Sequence, residues 1–482
     1  MTRQLLKNTG TYILTGFTGQ GLVLVLWIIL ARWLPPEEIG IYSLCIFLIE
    51  FFSVLGMFGL DAAITRFYHS RATLMEVLNN ALVLFASSNI LVLICFMVTS
   101  PFIPALIPSV ADILKGNLFL MAGVISTNTL ANFALVHYSA LRKASTYAKL
   151  QFIKLFLFFS LSLFFVHFGY SIPGILYAYF VSSLVVALFF FTGEYKTVSV
   201  KTVAPRLLKD MLFYGFPLLL YSGSNIIVSY FGRLLLDRYT DLATLGIYSF
   251  FLSLTLQING LWSSFNRAWT PEIFTNFSAD KKKAMDQIAS MGYAVSFLYL
   301  VIVGLFVLAG KLFLFEFLFQ AVYLANINLF YILLLAPLFT GIYTVTYPLY
   351  YYENKTMRIF FLSFGLAILN IALTFFMTKF YSQTGAALSY LLVSIITVFV
   401  FIFPFRKSMA IPNEILRWPV LLSMLTILSI LTILISDSSL LFMVTILCGV
   451  LMSYHMGKLS QHRHALWGFI KELKNRFVPA AS

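Results

Sequence analysis

The chain is poor in charge. Only 10% of its 482 residues are Asp, Glu, Lys or Arg, while 60% are hydrophobic. Soluble domains carry about 25% charged and about 45–50% apolar residues. The balance excludes an ordinary soluble protein and indicates an integral membrane protein. Acid is the scarcer sign, with 18 Asp and Glu against 32 Lys and Arg, a net charge of +14. In a soluble protein that excess would point to nucleic acid. In a membrane protein the cytoplasmic bias of Lys and Arg accounts for it, so no nucleic-acid partner is expected. Cysteine is rare as well. Cys45, Cys95 and Cys448 each lie inside an apolar run, which argues against a metal site or a disulfide framework. There is no Gly-x-x-x-x-Gly-Lys-[Ser/Thr] phosphate loop, no His-Glu-x-x-His, no Cys/His cluster and no Gly-x-Ser-x-Gly elbow. No built-in ATPase, metal, cofactor or enzymatic nucleophile is therefore expected. Long polar loops are missing too, which leaves little room for the catalytic site of a polytopic glycan polymerase or ligase.

What is present is a series of long apolar runs. A spanning helix needs about 20 mainly apolar residues. Fourteen segments qualify: 11–34, 39–60, 77–99, 114–137, 149–168, 172–192, 210–234, 243–265, 287–309, 325–350, 358–378, 384–404, 416–435 and 439–457. The first is too long for a signal-peptide core and lacks a small-residue cleavage site, so it reads as a retained helix. With the N-terminus inside, every Lys and Arg falls on the inner side except Arg32, Lys115, Arg233, Arg238, Lys311 and Lys379. That asymmetry puts both termini in the cytoplasm. The 51 Phe and 26 Tyr suit a lipid-facing surface with interfacial anchors. The tail from Trp467 to Phe477 reads as a basic amphipathic segment on the anionic inner membrane surface.

The chain also repeats itself. Gly40-Ile41-Tyr42-Ser43 recurs as Gly246-Ile247-Tyr248-Ser249, and Arg32 recurs as Arg238. Ser171-Ile-Pro-Gly174 with Tyr179 matches Ser382-Gln-Thr-Gly385 with Tyr390 at a slightly larger offset. A unit this long implies two homologous lobes rather than a solenoid. Six helices per lobe is an even number, so the lobes insert in parallel, about an axis along the membrane normal. The expected architecture is all-α: an N-terminal lobe at 1–205, a C-terminal lobe at 206–411, a cavity between them, and two extra helices with the tail at 412–482.

Polar residues inside the apolar runs mark candidate sites. On the seventh segment Tyr214, Tyr221, Ser222, Asn225, Ser229, Gly232 and Arg233 share one sector. This is a cavity face or a packing face. The second segment carries Glu50 near its middle, on a face with Ser43, Met57 and Asp61. It is a proton- or cation-coupling carboxylate, or one kept neutral by burial or paired with an arginine. Asn128 and Asn132 on the fourth segment could bind sugar hydroxyls or link helices. Lys154, about one turn inside the fifth segment, could face the cavity or snorkel to the interface. Arg66 and Arg267, at inner helix ends, could hold phosphate bidentately or simply set topology.

Arg32-Trp-Leu-Pro-Pro-Glu-Glu-Ile-Gly-Ile-Tyr-Ser43, Gly59-Leu-Asp-Ala-Ala-Ile-Thr-Arg66 and Asp237-Arg238 followed by Leu245-Gly-Ile-Tyr-Ser249 together resemble the MOP (multidrug/oligosaccharidyl-lipid/polysaccharide) exporter superfamily. Within it they are most similar to the polysaccharide-biosynthesis branch, the Wzx-type O-antigen and oligosaccharide-lipid flippases. The resemblance implies two six-helix lobes around a cationic cavity in the bacterial inner membrane. It implies alternating access that carries an undecaprenyl-pyrophosphate-linked oligosaccharide outward, for surface polysaccharide or lipopolysaccharide. Glycosyltransferases and a polysaccharide polymerase would be its functional partners. By position it assigns Arg66, Arg233 and Arg267 to the cavity, and Arg32, Asp237 and Arg238 to an outer gate or a structural pair. A drug or cation antiporter of the same superfamily is the alternative; it would want a carboxylate-rich cavity.

Overall fold

A computed structural model of the chain describes residues 3–68, 74–141, 143–193, 203–280, 314–346, 348–352 and 356–402, with scattered positions at 284–306 and Leu422. Every regular element among these residues is helical. The long ones are α1 (Arg3–Trp33), α2 (Pro36–Met57), α3 (Leu60–Tyr68), α4 (Leu74–Thr99), α5 (Ala111–Ala140), α6 (Ala144–His167), α7 (Ser171–Gly193), α8 (Pro205–Tyr239), α9 (Leu242–Ala279), α10 (Ile327–Thr346) and α11 (Thr356–Ile402). Ten stretches of the described residues are helical, long and apolar enough to cross a membrane. Most of the ninth predicted segment, nearly all of the last two and the basic tail lie outside the described residues.

Helix boundaries follow local chemistry. α2 starts at Pro36, whose fixed φ and missing N–H suit a first turn, with Glu37 and Glu38 at the positive end of the helix dipole. It stops at Phe58 and Gly59, both left-handed at φ 50° and 70°. The predicted second helix is therefore two pieces, and Asp61 sits on α3 rather than on one continuous face with Ser43 and Glu50. The predicted segments 358–378 and 384–404 run together as α11, broken at Ser382 with φ 51° and ψ −133°. Forty-seven residues interrupted near their middle supply enough helix for two crossings.

The repeat is visible in the backbone. Ser171 and Ser382, matched by the sequence alignment, are both left-handed non-glycine residues, at φ 44° and 51°. Few non-glycine residues adopt that conformation. The glycines three positions later are both tightly packed. A Cβ on Gly174 would meet Phe165 Cβ at 2.6 Å, and one on Gly385 would overlap the Met377 carbonyl.

The chain divides into two compact units, Met1–Ser264 with Lys355–Tyr390, and Phe265–Asn354 with Leu391–Ser482. In the first, α2 packs on α5 through small and polar groups. Gly56 faces Thr129, and Asn128 Nδ2 donates to Ser53 Oγ at 3.1 Å. That is how helices associate when lipid removes the hydrophobic drive between them. An aromatic cluster of Phe85, Phe133 and Phe190 fills the space among α4, α5 and α7. In the second unit, the Trp269 indole N–H donates to the Val345 carbonyl at 3.0 Å, and Tyr299 donates to the Leu334 carbonyl at 2.6 Å.

Candidate functional site

The first unit encloses a cavity of about 380 Å³. Helical periodicity selects its lining. Tyr42, Ile46 and Glu50 come from one face of α2, Asn128 and Asn132 from α5, and Gln151, Lys154 and Phe158 from α6. Tyr179 is supplied by α7, Tyr230 and Arg233 by α8, and Ser253 and Gln257 by α9; Trp27 of α1 adds an indole. The cavity thus joins α1, α2 and α5–α7 with α8 and α9, which belong to opposite halves of the sequence repeat.

Three charged side chains meet here. Lys154 is 8% exposed, and its Nζ donates to Asn128 Oδ1 at 2.8 Å. The Asn128 amide nitrogen is taken by Ser53, which fixes which end of the amide faces the lysine. The Tyr179 hydroxyl donates to Glu50 Oε1 at 3.2 Å, and Lys154 Nζ lies 5.7 Å from the centre of the Tyr179 ring. Glu50 and Lys154 attract each other around that tyrosine. Arg233 is 2% exposed, stacks 4.6 Å from the Tyr230 ring centre, and donates from Nη2 to Ser253 Oγ at 3.0 Å. Its Nε is buried with no hydrogen-bond partner among the described residues. Burying an ion costs several kcal/mol even after relaxation. Two buried cations against one carboxylate, with donors to spare, make a site suited to an anion.

Of the residues singled out in the sequence, Glu50, Asn128, Asn132, Lys154 and Arg233 line this cavity. Lys154 does not snorkel. Its helix starts at Ala144, five residues before the predicted start at 149, which puts the lysine about 15 Å along the helix at 1.5 Å per residue. The side chain is too deep to reach the interface easily. Tyr221 is half-buried and Asn225 exposed, both further back along α8 and outside the lining. Arg66 is exposed on α3, with its guanidinium 4.5 Å from the Tyr214 ring centre. Arg32 and Arg238 are exposed at the ends of α1 and α8, and Asp237 is half-buried. The side chain of Arg267 lies outside the described residues.

Sequence reasoning missed Trp27, Gln151, Tyr230 and Gln257 as lining residues, and used Tyr42 and Tyr179 only as repeat markers. Tyr230 sits one turn before Arg233, so a ring beside a buried guanidinium was the signal that could have found it.

The fold defines the class. The chain resembles "Lipid II flippase MurJ, inward closed conformation" with a TM-score of 0.66 at 16% identity, over 93% of this chain and 98% of that one. It also resembles the MATE multidrug transporter DinF-BH (TM-score 0.63, 14% identity, 85% and 96% covered). A further match is an inward-facing multidrug resistance MATE family transporter of the MOP superfamily (TM-score 0.59, 16% identity, 82% and 94% covered). This is the fold of a multi-pass MOP-type transporter. Residues 5–277, more than half the chain, match the family described as "Polysaccharide biosynthesis protein", and the chain belongs to that family. No curated protein matches the sequence.

Proposed function

We propose that the protein is a flippase for an undecaprenyl-pyrophosphate-linked oligosaccharide, the repeat unit of a surface polysaccharide. It moves this unit from the inner to the outer leaflet of the bacterial cytoplasmic membrane. The observation that carries the reading is the cavity with two buried cations, Lys154 and Arg233, and an unused guanidinium donor. A pyrophosphate cannot cross hydrocarbon with its hydration shell, and these groups replace that shell while the polyprenyl tail stays in lipid. Tyr, Asn and Gln side chains around them offer hydrogen bonds to sugar hydroxyls.

Transport proceeds by alternating access, as two parallel lobes (residues 1–205 and 206–411) rock about their shared axis. Both termini are cytoplasmic and fourteen helices span the membrane. An inside-negative potential favours outward movement of an anion by about 2.3 kcal/mol per charge per 100 mV, or roughly 4.6 kcal/mol for two charges. ATP is then unnecessary, and a cation bound at Glu50 is an addition to the drive.

The test is genetic. In cells depleted of the protein and lacking a second flippase, the lipid-linked repeat unit accumulates on the cytoplasmic side. Normal surface polysaccharide in those cells, together with lost efflux of organic cations, would instead establish the drug or cation antiporter.

A further inference from the structure

A second groove, of about 600 Å³, shares no lining residue with the central cavity. One wall is Tyr239, Thr240, Asp241 and Thr244, at the junction of α8 and α9. The other is Thr378 to Ser382, at the break in α11. Asp241 caps α9: the Thr244 N–H donates to Oδ1 at 2.7 Å, and the Thr244 hydroxyl to Oδ2 at 3.0 Å. These bonds, the backbone one foremost, hold the carboxyl below the usual carboxylate range, so it is charged at neutral pH. The side chain is exposed, so the carboxylate is open to a cation in the groove. The opposite wall contributes the exposed Lys379. Tyr239 and Tyr381 stand exposed beside them, at 49% and 64%.

The groove crowns an apolar stripe. Phe361, Phe364, Ile368, Ile371 and Phe375 follow helical spacing on α11 and are all exposed, while Ser363, Asn370, Thr374 and Thr378 are buried. The top of the stripe meets the groove where the Tyr239 and Phe375 rings lie 6.2 Å apart. The first repeat carries a matching exposed pair, Trp33 and Tyr170, but there Ser171 donates to the Glu38 carboxylate. At the position equivalent to Glu38 stands Thr244, which bonds Asp241 instead.

Opposite charges on facing walls, two exposed phenols and an exposed apolar track leading away from them fit a molecule with chains and a doubly charged headgroup. We propose that this groove holds a zwitterionic phospholipid, its ammonium against Asp241 and the tyrosine rings, its phosphate on Lys379, and its acyl chains along the α11 stripe. Ammonium over a tyrosine face is favourable, and Tyr is enriched at membrane–water interfaces. A soluble glycan would use the phenols but leave the stripe without a role.

The test uses the full-length protein in detergent, given equimolar phosphatidylethanolamine and phosphatidylglycerol, with bound lipid counted by native mass spectrometry. Phosphatidylethanolamine is retained about tenfold over phosphatidylglycerol, one decade in binding constant. The Lys379→Ala/Tyr381→Ala double variant retains less of both lipids, since each has lost its phosphate partner. Asp241→Asn keeps a capping side chain and gains phosphatidylglycerol, because the carboxylate that repels it is gone. Equal retention of the two lipids by the unaltered protein overturns the proposal. So does unchanged retention in both variants, or displacement of phosphatidylethanolamine by a soluble neutral tetrasaccharide.

Discussion

Ser43 and Ser249 occupy the same place in the two copies of the Gly-Ile-Tyr-Ser motif, 206 residues apart, and their hydroxyls are hydrogen-bonded to each other at 2.8 Å. Both are buried. The surrounding contacts are reciprocal. A Cβ on Gly40 would meet the Leu242 carbonyl at 3.1 Å, and one on Gly246 would overlap the Pro36 carbonyl. Pro36 and Leu242 are themselves equivalent under the same offset. The duplicated motif is thus a contact of the repeat with itself, where α2 and α9 cross so closely that a side chain at Gly246 would strike backbone and one at Gly40 would be tight.

This crossing sets the first prediction. Gly246→Ala forces backbone apart, whereas Gly40→Ala asks for a few tenths of an ångström. Overpacking costs about 1–3 kcal/mol, and Gly246→Ala should sit at or above the top of that range and Gly40→Ala near the bottom. Thermal unfolding of the purified variants ranks them. Equal destabilisation would show that the close approach is not what the glycines serve.

A second prediction concerns movement at the same place. If the lobes must part here to release substrate outward, cross-linking the two serine positions stops transport. Ser43→Cys/Ser249→Cys should export glycan normally when reduced and lose export when oxidised. Full export with the disulfide formed would put the moving contact elsewhere.

The charged centre gives a third. Lys154 is buried and Glu50 half-buried, and they attract each other without touching, so removing one leaves the other's charge less compensated. Lys154→Met should therefore destabilise the protein more than Lys154→Met/Glu50→Gln does, since the second change relieves the stranded carboxylate. Both should lose glycan export, because the anion has lost a cation. A double variant no more stable than the single one would mean that the two groups are not coupled, despite sharing Tyr179.

Much of this was legible in the sequence, and the failures have physical causes. Long apolar runs reveal spans because lipid requires about 20 such residues per crossing. Glu50, Arg233 and the paired Asn128 and Asn132 stood out because polar groups are costly in that setting. Lys154 was misplaced in depth because Ala144-Ser-Thr-Tyr-Ala-Lys149 is polar enough to look like a loop, yet it forms the first turns of α6. The break after Met57 was hidden because only Gly59 signals it, and the left-handed Phe58 carries no sequence mark. The lining tyrosines, Tyr42, Tyr179 and Tyr230, do not stand out because an aromatic in a membrane helix looks the same whether it faces lipid or a cavity. Only the packing of α1, α7, α8 and α9 around α2 distinguishes them.

Arg66 supplies a fourth prediction, by contrast with the centre. It is exposed and held by a cation–π contact to Tyr214, which at such a site is worth about 0.5–1 kcal/mol. Arg66→Ala should reduce export far less than Arg233→Gln in a glycan-export assay at matched protein level. If the two were equally damaging, Arg66 would have to meet the substrate at another stage of the cycle.

The last prediction is a pH dependence at Asp241. Its carboxyl is held below the usual range by the Thr244 backbone N–H, opposed by partial burial and aided by the Thr244 hydroxyl. A depressed folded-state pKa contributes stability that is present above the unfolded value, about 3.9, and is lost as pH falls through the folded value. The cap should therefore be intact at neutral pH and fail only in strong acid. Asp241→Ala removes an N-cap at any pH, at about 0.5–1 kcal/mol for a site this exposed. Asp241→Asn should retain most of the cap while losing the acid-side dependence. Amide exchange at Thr244 reads this directly: protection that drops below about pH 4 in the unaltered protein should be pH-independent in Asp241→Asn. An identical pH profile in the two proteins would mean that the charge of Asp241 does not hold the turn.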